Sequence, residues 1–300
     1  MRHSTRRQFG LTAAAAGAAL LGGRCLAQPA AAEVELPDGS RVPALGLGTW
    51  TLGQGRRPSA EEEAALRTGV SLGLRLIDTA EIYGNGSAEE MIRRALGAQR
   101  DQVFLVSKVA PPNAATAEGI RRSCEASLAR LGTDHLDLYL LHWRDGVPDL
   151  AVVVEAFERL RAQGSIRRWG VSNFQVKDME DLFRVRGGSA CATNQVRYSL
   201  GDRAIERELL PWCREHRMPV MAYSPLGRGS ALLQNPSLIA VARRHGVEPP
   251  AVALAWTMRS GRVITITESG SSEHVRQNAA ALSLRLGEDD LKELDRAFPA

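Results

Sequence analysis

Short apolar runs alternate with amphipathic segments along most of this chain. Apolar runs that end at polar residues predict buried strands, and apolar residues spaced by three and four positions predict helices with one buried face. The predicted strands lie near residues 44–48, 74–78, 103–107, 136–141, 166–171, 191–196, 219–223 and 263–267. The predicted helices lie near residues 60–72, 87–97, 116–131, 149–163, 175–184, 203–216, 236–258, 272–283 and 288–296.

A predicted helix follows each predicted strand, and this unit repeats eight times. The repeat predicts an α/β fold of the (β/α)8 TIM-barrel type, in one domain over residues 28–300. A doubly wound open sheet is the alternative, but residues 46–53 lack the glycine spacing of its phosphate-binding turn. The apolar alternation over residues 34–42 is interrupted by Pro37-Asp38-Gly39. This interruption predicts a β-hairpin that closes the bottom of the barrel.

Polar residues stand where three successive strands end. Asp78 ends the second predicted strand, Lys108 follows the third and His142 follows the fourth, while Tyr83 lies in the turn beyond Asp78. The carboxyl ends of barrel strands meet at one rim, so these four groups are expected to converge there. Each residue alone has an ordinary structural explanation. Their joint order predicts a catalytic site.

These four groups suit the delivery of a proton to an oxygen that has just become negative, as when hydride adds to a carbonyl. Tyr83 is the expected acid. Lys108 is expected to lower the pKa of the Tyr83 phenol, because an ammonium favours the phenolate, and Asp78 is the expected partner of Lys108. His142 is expected to donate a hydrogen bond to the substrate oxygen.

The sequence around these residues carries a family resemblance after residue 33. The matching phrases are Gly46-Leu-Gly-Thr-Trp50, Asp78-Thr-Ala-x-x-Tyr83-Gly84, Leu141-His142-Trp143, Gly170-Val-Ser-Asn-Phe174, Asn194-Gln195 and Tyr223-Ser-Pro-Leu-Gly227. With these phrases, the order Asp78, Tyr83, Lys108, His142 resembles the catalytic tetrad of the aldo-keto reductases. Residues 211–226 are most similar to a bacterial branch that includes methylglyoxal and diketogulonate reductases. The resemblance implies NAD(P)H-dependent reduction of an aldehyde or ketone to an alcohol, with Tyr83 as proton donor.

The resemblance also implies where the cofactor and substrate bind. The side chains expected to contact the nicotinamide are Ser172, Asn173 and Gln195, with the ring of Tyr223 stacked on it. The full expected set of cofactor contacts is Thr49, Trp50, Asp78, Ser172, Asn173, Gln195, Tyr223, Ser224, Pro225, Leu226, Gly227, Glu268, Ser269, His274, Gln277 and Asn278. The expected substrate pocket consists of Trp50, Tyr83, His142 and Trp143.

The adenosine end departs from the family pattern. The family usually has a lysine and an arginine that bind the 2′-phosphate of NADP, and this chain has Glu268 and His274 at those positions. A carboxylate repels a phosphate but accepts hydrogen bonds from ribose hydroxyls. The resemblance therefore implies NADP(H), whereas the local chemistry leaves NAD(H) open.

Two classes of function remain from the sequence. The first is a reductase that acts on a small-molecule carbonyl. The second is a nicotinamide-nucleotide-binding barrel that serves as a redox sensor or interaction module with little turnover. The complete tetrad favours the reductase. The chain is expected to be a monomer.

The charge distribution gives no argument for nucleic acid binding. Arg2, Arg6, Arg7 and Arg24 lie in residues 1–27, which contain no acid, so the other 34 of the 38 basic residues match the 34 acidic ones. No cysteine or histidine spacing is typical of a metal site. Without Cys25, the cysteines are Cys124, Cys191 and Cys213, for which buried thiols are expected and a disulfide is the alternative.

Residues 1–27 have the three parts of a secretory signal peptide. A basic stretch contains the twin-arginine pair Arg6-Arg7, an apolar run covers residues 11–21, and Cys25-Leu26-Ala27 precedes Gln28. The apolar run is short for a membrane span, which takes about 20 residues, so a stable anchor is not expected. An uncleaved anchor or a lipoprotein through Cys25 are the alternatives. Export of the folded protein to the periplasm by the twin-arginine machinery is the expectation.

Overall fold

Eight parallel strands form a closed barrel in the computed structural model, which describes Met1, residues 32–227 and residues 231–300. The strands are β1 (Glu33–Glu35), β2 (Arg41–Pro43), β3 (Leu45–Gly48), β4 (Leu76–Asp78), β5 (Phe104–Val109), β6 (Leu138–Leu141), β7 (Trp169–Ser172), β8 (Asn194–Arg197), β9 (Val220–Tyr223) and β10 (Val263–Glu268). The α-helices are α1 (Ser59–Ser71), α2 (Ser87–Leu96), α3 (Ala117–Leu131), α4 (Leu150–Ala162), α5 (Val176–Arg184), α6 (Leu209–Glu215), α7 (Pro236–His245), α8 (Pro249–Met258), α9 (Ser272–Ala279) and α10 (Glu288–Ala297).

The barrel strands follow one another in chain order from β3 to β10, and β10 pairs with β3 to close the ring. The prediction of a (β/α)8 barrel is therefore confirmed. The predicted signal peptide of residues 1–27 lies outside the described residues. Within the described part of the chain, no helix combines the length and apolarity needed to cross a membrane.

The predicted hairpin closes the N-terminal end of the barrel. Strands β1 and β2 pair antiparallel, with Val34 opposite Val42. Val34, Leu36 and Val42 are buried in one apolar cluster with residues of the barrel interior such as Leu76 and Leu140. The hairpin therefore covers the barrel end opposite to the strand ends where Asp78, Lys108 and His142 lie.

Alternation along the strands determines which side chains enter the barrel. Leu76, Val106, Leu140, Met221 and Ile266 belong to the interior cluster, and the residue two positions later on each strand points to the same side. The interior is therefore apolar at mid-height and polar at the carboxyl ends of the strands.

Three helix predictions differ from the structure. The prediction of one helix over residues 236–258 is wrong, because Gly246 has a positive φ of 63° and Pro249 starts the separate helix α8. The segment 203–216 is a 3-10 turn at Ala204–Glu206 followed by the shorter α6. The segment 272–283 is α9 followed by a 3-10 turn at Ala280–Leu282. In each case the apolar spacing continues across a backbone break.

Several strands begin later than predicted, since apolar residues before them are buried without belonging to the ladder. Leu74 precedes β4 and is fully buried. Leu136 and Ile166 form only an isolated bridge with each other, ahead of β6 and β7. Cys124, Cys191 and Cys213 are buried free thiols, as expected.

Gly170→Ala should destabilise the barrel, because a Cβ at this position would lie 2.5 Å from the Thr193 carbonyl oxygen and 2.9 Å from Leu140 Cδ2. We expect a loss of about 1–3 kcal/mol in the free energy of unfolding, measured by urea denaturation. Gly287→Ala is the control, since a Cβ there would meet only Asp290 Oδ2 at 3.7 Å. Equal stability of the two variants would contradict tight packing at Gly170.

Candidate active site

At the carboxyl end of each barrel strand, one residue points toward the barrel axis. These positions are Gly48, Asp78, Lys108, His142, Ser172, Gln195, Tyr223 and Glu268. The register places Asp78 beside Gly48, and Gly48 beside Glu268, on neighbouring strands. Closure of the barrel therefore brings together residues that are far apart in the sequence.

Lys108 and Asp78 form a buried ion pair at the centre of this ring. The Lys108 ammonium donates to both carboxylate oxygens of Asp78 at 2.8 Å and to the Thr79 carbonyl oxygen at 2.8 Å. Lys108 is fully buried and Asp78 is 4% exposed. Burial lowers the pKa of Lys108, and the neighbouring carboxylate of Asp78 opposes that shift. Gln195 Nε2 also donates to Asp78 Oδ1 at 2.7 Å, so the carboxylate has several donors.

The turn after β4 places Tyr83 over this pair. Tyr83 begins a 3-10 turn in which Gly84 and Asn85 have positive φ values of 57° and 55°, and α2 follows at Ser87. The Tyr83 hydroxyl lies 3.3 Å from Lys108 Nζ. The sequence-predicted tetrad therefore comes together in three dimensions.

The pKa of Tyr83 is raised well above 10, chiefly by burial and then by the negative charges of Asp78 and Glu268. The expectation that Lys108 lowers this pKa is wrong for the structure described here. Burial and these two carboxylates outweigh the ammonium of Lys108, which is itself paired with Asp78. Tyr83 is therefore a protonated phenol at neutral pH.

His142 is an uncharged imidazole beside Tyr83. Its ring lies edge-on to the Tyr83 ring, with centroids 5.7 Å apart, and stacks on Trp143 at 3.7 Å. Burial, and then the charge of Lys108, lower the pKa of His142 to about 2. Among the described residues, His142 Nδ1 has no hydrogen-bond partner. A neutral imidazole can donate one hydrogen bond to a substrate oxygen without carrying a charge.

The space above the tetrad is a cavity of about 760 Å³. It is bordered by almost all expected site residues: Thr49, Trp50, Asp78, Tyr83, His142, Trp143, Ser172, Asn173, Gln195, Tyr223, Ser224, Pro225, Leu226, Glu268, Ser269, His274, Gln277 and Asn278. Two expected residues do not border it. Lys108 lies beneath Asp78 and Tyr83, and the Gly227 N–H closes a turn on the Ser224 carbonyl oxygen at 3.0 Å.

Sequence reasoning missed several residues of the lining: Gly48, Thr51, Ile82, Leu233, Pro250, Ile266 and Thr267. Gly48 and Ile266 could have been found from the two-residue period of β3 and β10. Ile82, Leu233 and Pro250 come from segments outside the strands, whose positions do not follow from local periodicity. Ile82 is 41% exposed, which makes it part of an open apolar rim with Trp50 and Trp143.

Amide and hydroxyl groups cover the wall between β7 and β9. Asn173 has a positive φ of 62° and donates through Nδ2 to the His142 carbonyl oxygen at 3.1 Å. The Tyr223 hydroxyl donates to Asn173 Oδ1 at 2.9 Å, and the Ser172 hydroxyl donates to the Gln195 carbonyl oxygen at 2.8 Å. These contacts hold the side chains in place at the edge of the cavity.

Glu268, at the end of β10, borders the cavity on the side of the loop after β3. One carboxylate oxygen accepts from the Thr51 N–H at 3.1 Å, and the other accepts a short hydrogen bond from the Thr51 hydroxyl. Both contacts come from the loop after β3. Glu268 is therefore fixed by the neighbouring strand's loop, although its charge faces the cavity.

Comparison with known proteins agrees with this geometry. The model of the aldo/keto reductase family matches residues 44–298. The chain belongs to that family. It is 49% identical over 263 residues to methylglyoxal reductase YeaE of Escherichia coli strain K12, covering 86% of this chain and 92% of that protein. It is 33% identical over 262 residues to a glyoxal reductase of Bacillus subtilis strain 168, covering 87% and 91%.

Solved structures of the family are similar over most of the chain. An aldo/keto reductase from Klebsiella pneumoniae in complex with NADP and acetate has a TM-score of 0.86 and 48% identity, covering 90% of this chain and 96% of that one. A complex of an aldo-keto reductase from the same species with NADPH also has a TM-score of 0.86 and 48% identity. The chain is thus an NAD(P)H-dependent oxidoreductase that reduces carbonyl groups.

The residues of the cavity fit a nicotinamide dinucleotide. The cavity extends from the tetrad to the start of α9, and it offers amide and hydroxyl side chains at Ser172, Asn173 and Gln195. The Tyr223 ring borders the same space. Reductase function, one of the two classes left by the sequence, is therefore the one that the family supports.

His142→Gln should change how protein stability depends on pH. The folded-state pKa of His142, about 2, lies below the unfolded value of about 6.5, so the unfolded chain takes up a proton as the pH falls below 6.5. Between pH 7 and pH 5, the wild type should lose about 2 kcal/mol relative to the variant. Urea unfolding at both pH values measures this difference. The other histidines contribute equally to the pH dependence of both proteins, so their effect drops out of the difference. Identical pH dependence of the two proteins would contradict a buried neutral His142.

Proposed function

We propose that this aldo-keto reductase reduces small 2-oxoaldehydes such as methylglyoxal, using NADPH, with Tyr83 as the proton donor. The observation that carries the proposal is the protonated Tyr83 hydroxyl 3.3 Å from Lys108 Nζ, beside a neutral His142 at the cavity floor. The substrate class is supported by similarity to a methylglyoxal reductase and a glyoxal reductase. The cofactor is supported by related structures that contain NADP or NADPH.

The mechanism assigns one task to each group of the tetrad. Bound NADPH would supply the hydride. The hydroxyl of Tyr83 and the imidazole of His142 hold the carbonyl oxygen, and Tyr83 gives its proton to that oxygen as the carbon accepts the hydride. The product is an alcohol and the phenolate is left on Tyr83. Lys108 then favours that phenolate electrostatically, since its ammonium lies within hydrogen-bond distance.

The wall residues position the cofactor in this proposal. Ser172, Asn173 and Gln195 would hold the carboxamide, and Tyr223 would stack on the nicotinamide ring. Stacking selects one face of the ring and holds it toward the substrate carbon. Ser224–Leu226 and the residues from Glu268 to Asn278 would hold the pyrophosphate and adenosine.

Tyr83→Phe should abolish most reduction of methylglyoxal, because it removes the proton donor and leaves the ring. We expect kcat to fall by about 10²–10⁴-fold, with the NADPH dissociation constant changed by less than about twofold. Loss of NADPH absorbance measures turnover, and quenching of tryptophan fluorescence measures binding.

Tyr139→Phe makes the same chemical change at a buried tyrosine outside the cavity. Among the described residues, the Tyr139 hydroxyl has no hydrogen-bond partner, so this control should keep wild-type kinetics. Full activity in Tyr83→Phe would exclude Tyr83 as the acid. Absence of turnover by the wild type with methylglyoxal, but turnover with larger aldehydes, would exclude the proposed substrate class.

We further propose that the enzyme is exported to the periplasm through the twin-arginine route. The proposal is supported by the basic, apolar and cleavage-site parts of residues 1–27. Export in the folded state suits a protein that takes up a nucleotide before it leaves the cytoplasm.

Replacing Arg6 and Arg7 by lysine should retain the enzyme in the cytoplasm, because the export machinery reads the arginine pair. Activity and immunoblotting of periplasmic and cytoplasmic fractions measure the distribution. The matched control replaces Arg121 and Arg122, an arginine pair on the surface of α3, and it should be exported normally. A wild-type protein found only in the cytoplasm would rule out this proposal.

A further inference from the structure

A second cleft continues outward from the Glu268 end of the cavity. It has a volume of about 490 Å³ and shares Thr51, Glu268, Ser269 and His274 with the main cavity. Its outer border contains Arg56 and Arg57, from the loop between β3 and α1. A long ligand that begins at the tetrad can therefore extend past Glu268 to these arginines.

Arg57 lies across the turn between β10 and α9. A Cβ at Gly270, in that turn, would be 2.9 Å from Arg57 Cδ and 3.4 Å from Arg57 Nε, so the arginine stem packs closely over this glycine. Arg56 and Arg57 are exposed, and neither forms an ion pair with any residue in the described ranges. Two guanidinium groups thus border one cleft, which also contains the carboxylates of Glu62 and Glu268, and the stem of Arg57 packs against Gly270.

The same cleft contains a carboxylate with one oxygen that has no partner among the described residues. Glu62 is 1% exposed, its Oε2 accepts from the Gly53 N–H at 2.8 Å, and its Oε1 has no hydrogen-bond partner among the described residues. A buried carboxylate oxygen without a donor is costly, so a ligand hydroxyl that reached it would remove that cost. A sugar hydroxyl is such a donor.

These groups together select a ligand with both hydroxyl and anionic groups. A phosphorylated ribose has both, since a hydroxyl can donate to Glu62 Oε1 and a phosphate can accept from arginine forks. Glu268 is unsuited to a phosphate, and its oxygens already accept from Thr51. The cations that can reach a phosphate therefore come from the β3–α1 loop.

We propose that Arg57, with Arg56 beside it, binds the adenosine 2′-phosphate of NADPH, and that Glu62 accepts a hydrogen bond from the ribose. This inference rests on the proposed use of NADPH. It assigns the recognition of NADPH over NADH to the β3–α1 loop instead of the turn after β10. Arg57 is the main determinant, because the Gly270 turn holds its stem at the cleft.

The test measures nucleotide binding by the full-length protein in the absence of a carbonyl substrate. Quenching of tryptophan fluorescence gives dissociation constants for NADPH and NADH, since Trp50 borders the cavity. Arg57→Ala should raise the NADPH dissociation constant by about tenfold or more, and change the NADH constant by less than about twofold. Arg57→Lys should lie between the wild type and Arg57→Ala for NADPH, because a lysine keeps the charge and loses the fork.

Two further measurements separate phosphate recognition from a structural role. Adenosine 2′,5′-bisphosphate should bind the wild type more tightly than adenosine 5′-monophosphate, and this difference should shrink in Arg57→Ala. The control is Arg186→Ala, at an exposed arginine between α5 and β8, near the opposite end of the barrel. It should leave all constants at wild-type values.

Other outcomes overturn the inference. An unchanged NADPH constant in Arg57→Ala excludes Arg57 as the phosphate ligand, and equal weakening of NADPH and NADH indicates a general structural effect. A wild type that binds NADH and not NADPH overturns this inference while leaving carbonyl reduction intact. If the wild type binds NADPH more tightly than NADH as expected but turns over no carbonyl compound, only the proposed carbonyl reduction is overturned.

Discussion

The ion pair between Lys108 and Asp78 is the interaction on which the rest of the site depends. Both groups are almost completely buried, so each requires the other to remain charged. Loss of one partner from a buried pair leaves an uncompensated charge, at a cost of roughly 3–5 kcal/mol. The pair forms only when β4 and β5 lie side by side in register. The pairing of β4 with β5 and the geometry of this ion pair are therefore the same constraint.

This pair also contributes to the charge state of its neighbours. Burial is the largest cause for both of them: with the negative charge of Asp78 it raises the pKa of Tyr83, and with the positive charge of Lys108 it lowers the pKa of His142. Both groups are therefore neutral at pH 7. Two neutral donors thus face the point where negative charge develops during reduction. This arrangement favours the transition state over the uncharged ground state of a carbonyl.

The two ends of the cavity use carboxylates in different ways. At the inner end, Asp78 is saturated by donors from Lys108 and Gln195. At the outer end, Glu268 is bound by Thr51, whereas one oxygen of Glu62 has no partner among the residues that the structure describes. The outer carboxylates belong to a cleft that also contains arginines. The charges of Asp78 and Lys108 therefore neutralise each other at the inner end. At the outer end, the charged groups of the cleft can contact a ligand.

Much of the fold was readable from the sequence, because strand and helix periods are local properties. The break at Gly246, followed by Pro249, was also present in the sequence as a turn signal, although apolar spacing alone concealed it. The direction of the Tyr83 pKa shift could not be predicted from the sequence. It depends on how completely the phenol is buried and on which charges lie near it. The position of Arg57 over Gly270 joins segments far apart in the chain, and no local pattern predicts it.

The sequence by itself determined the eight βα units, the polar residues at the strand ends and the order of the tetrad. Only the tertiary structure decided the distances among those groups, their protonation states and the second cleft beyond Glu268. The physical reason is that periodicity acts between near neighbours in the chain. Desolvation and Coulomb interactions instead depend on every group that folding brings within a few ångströms.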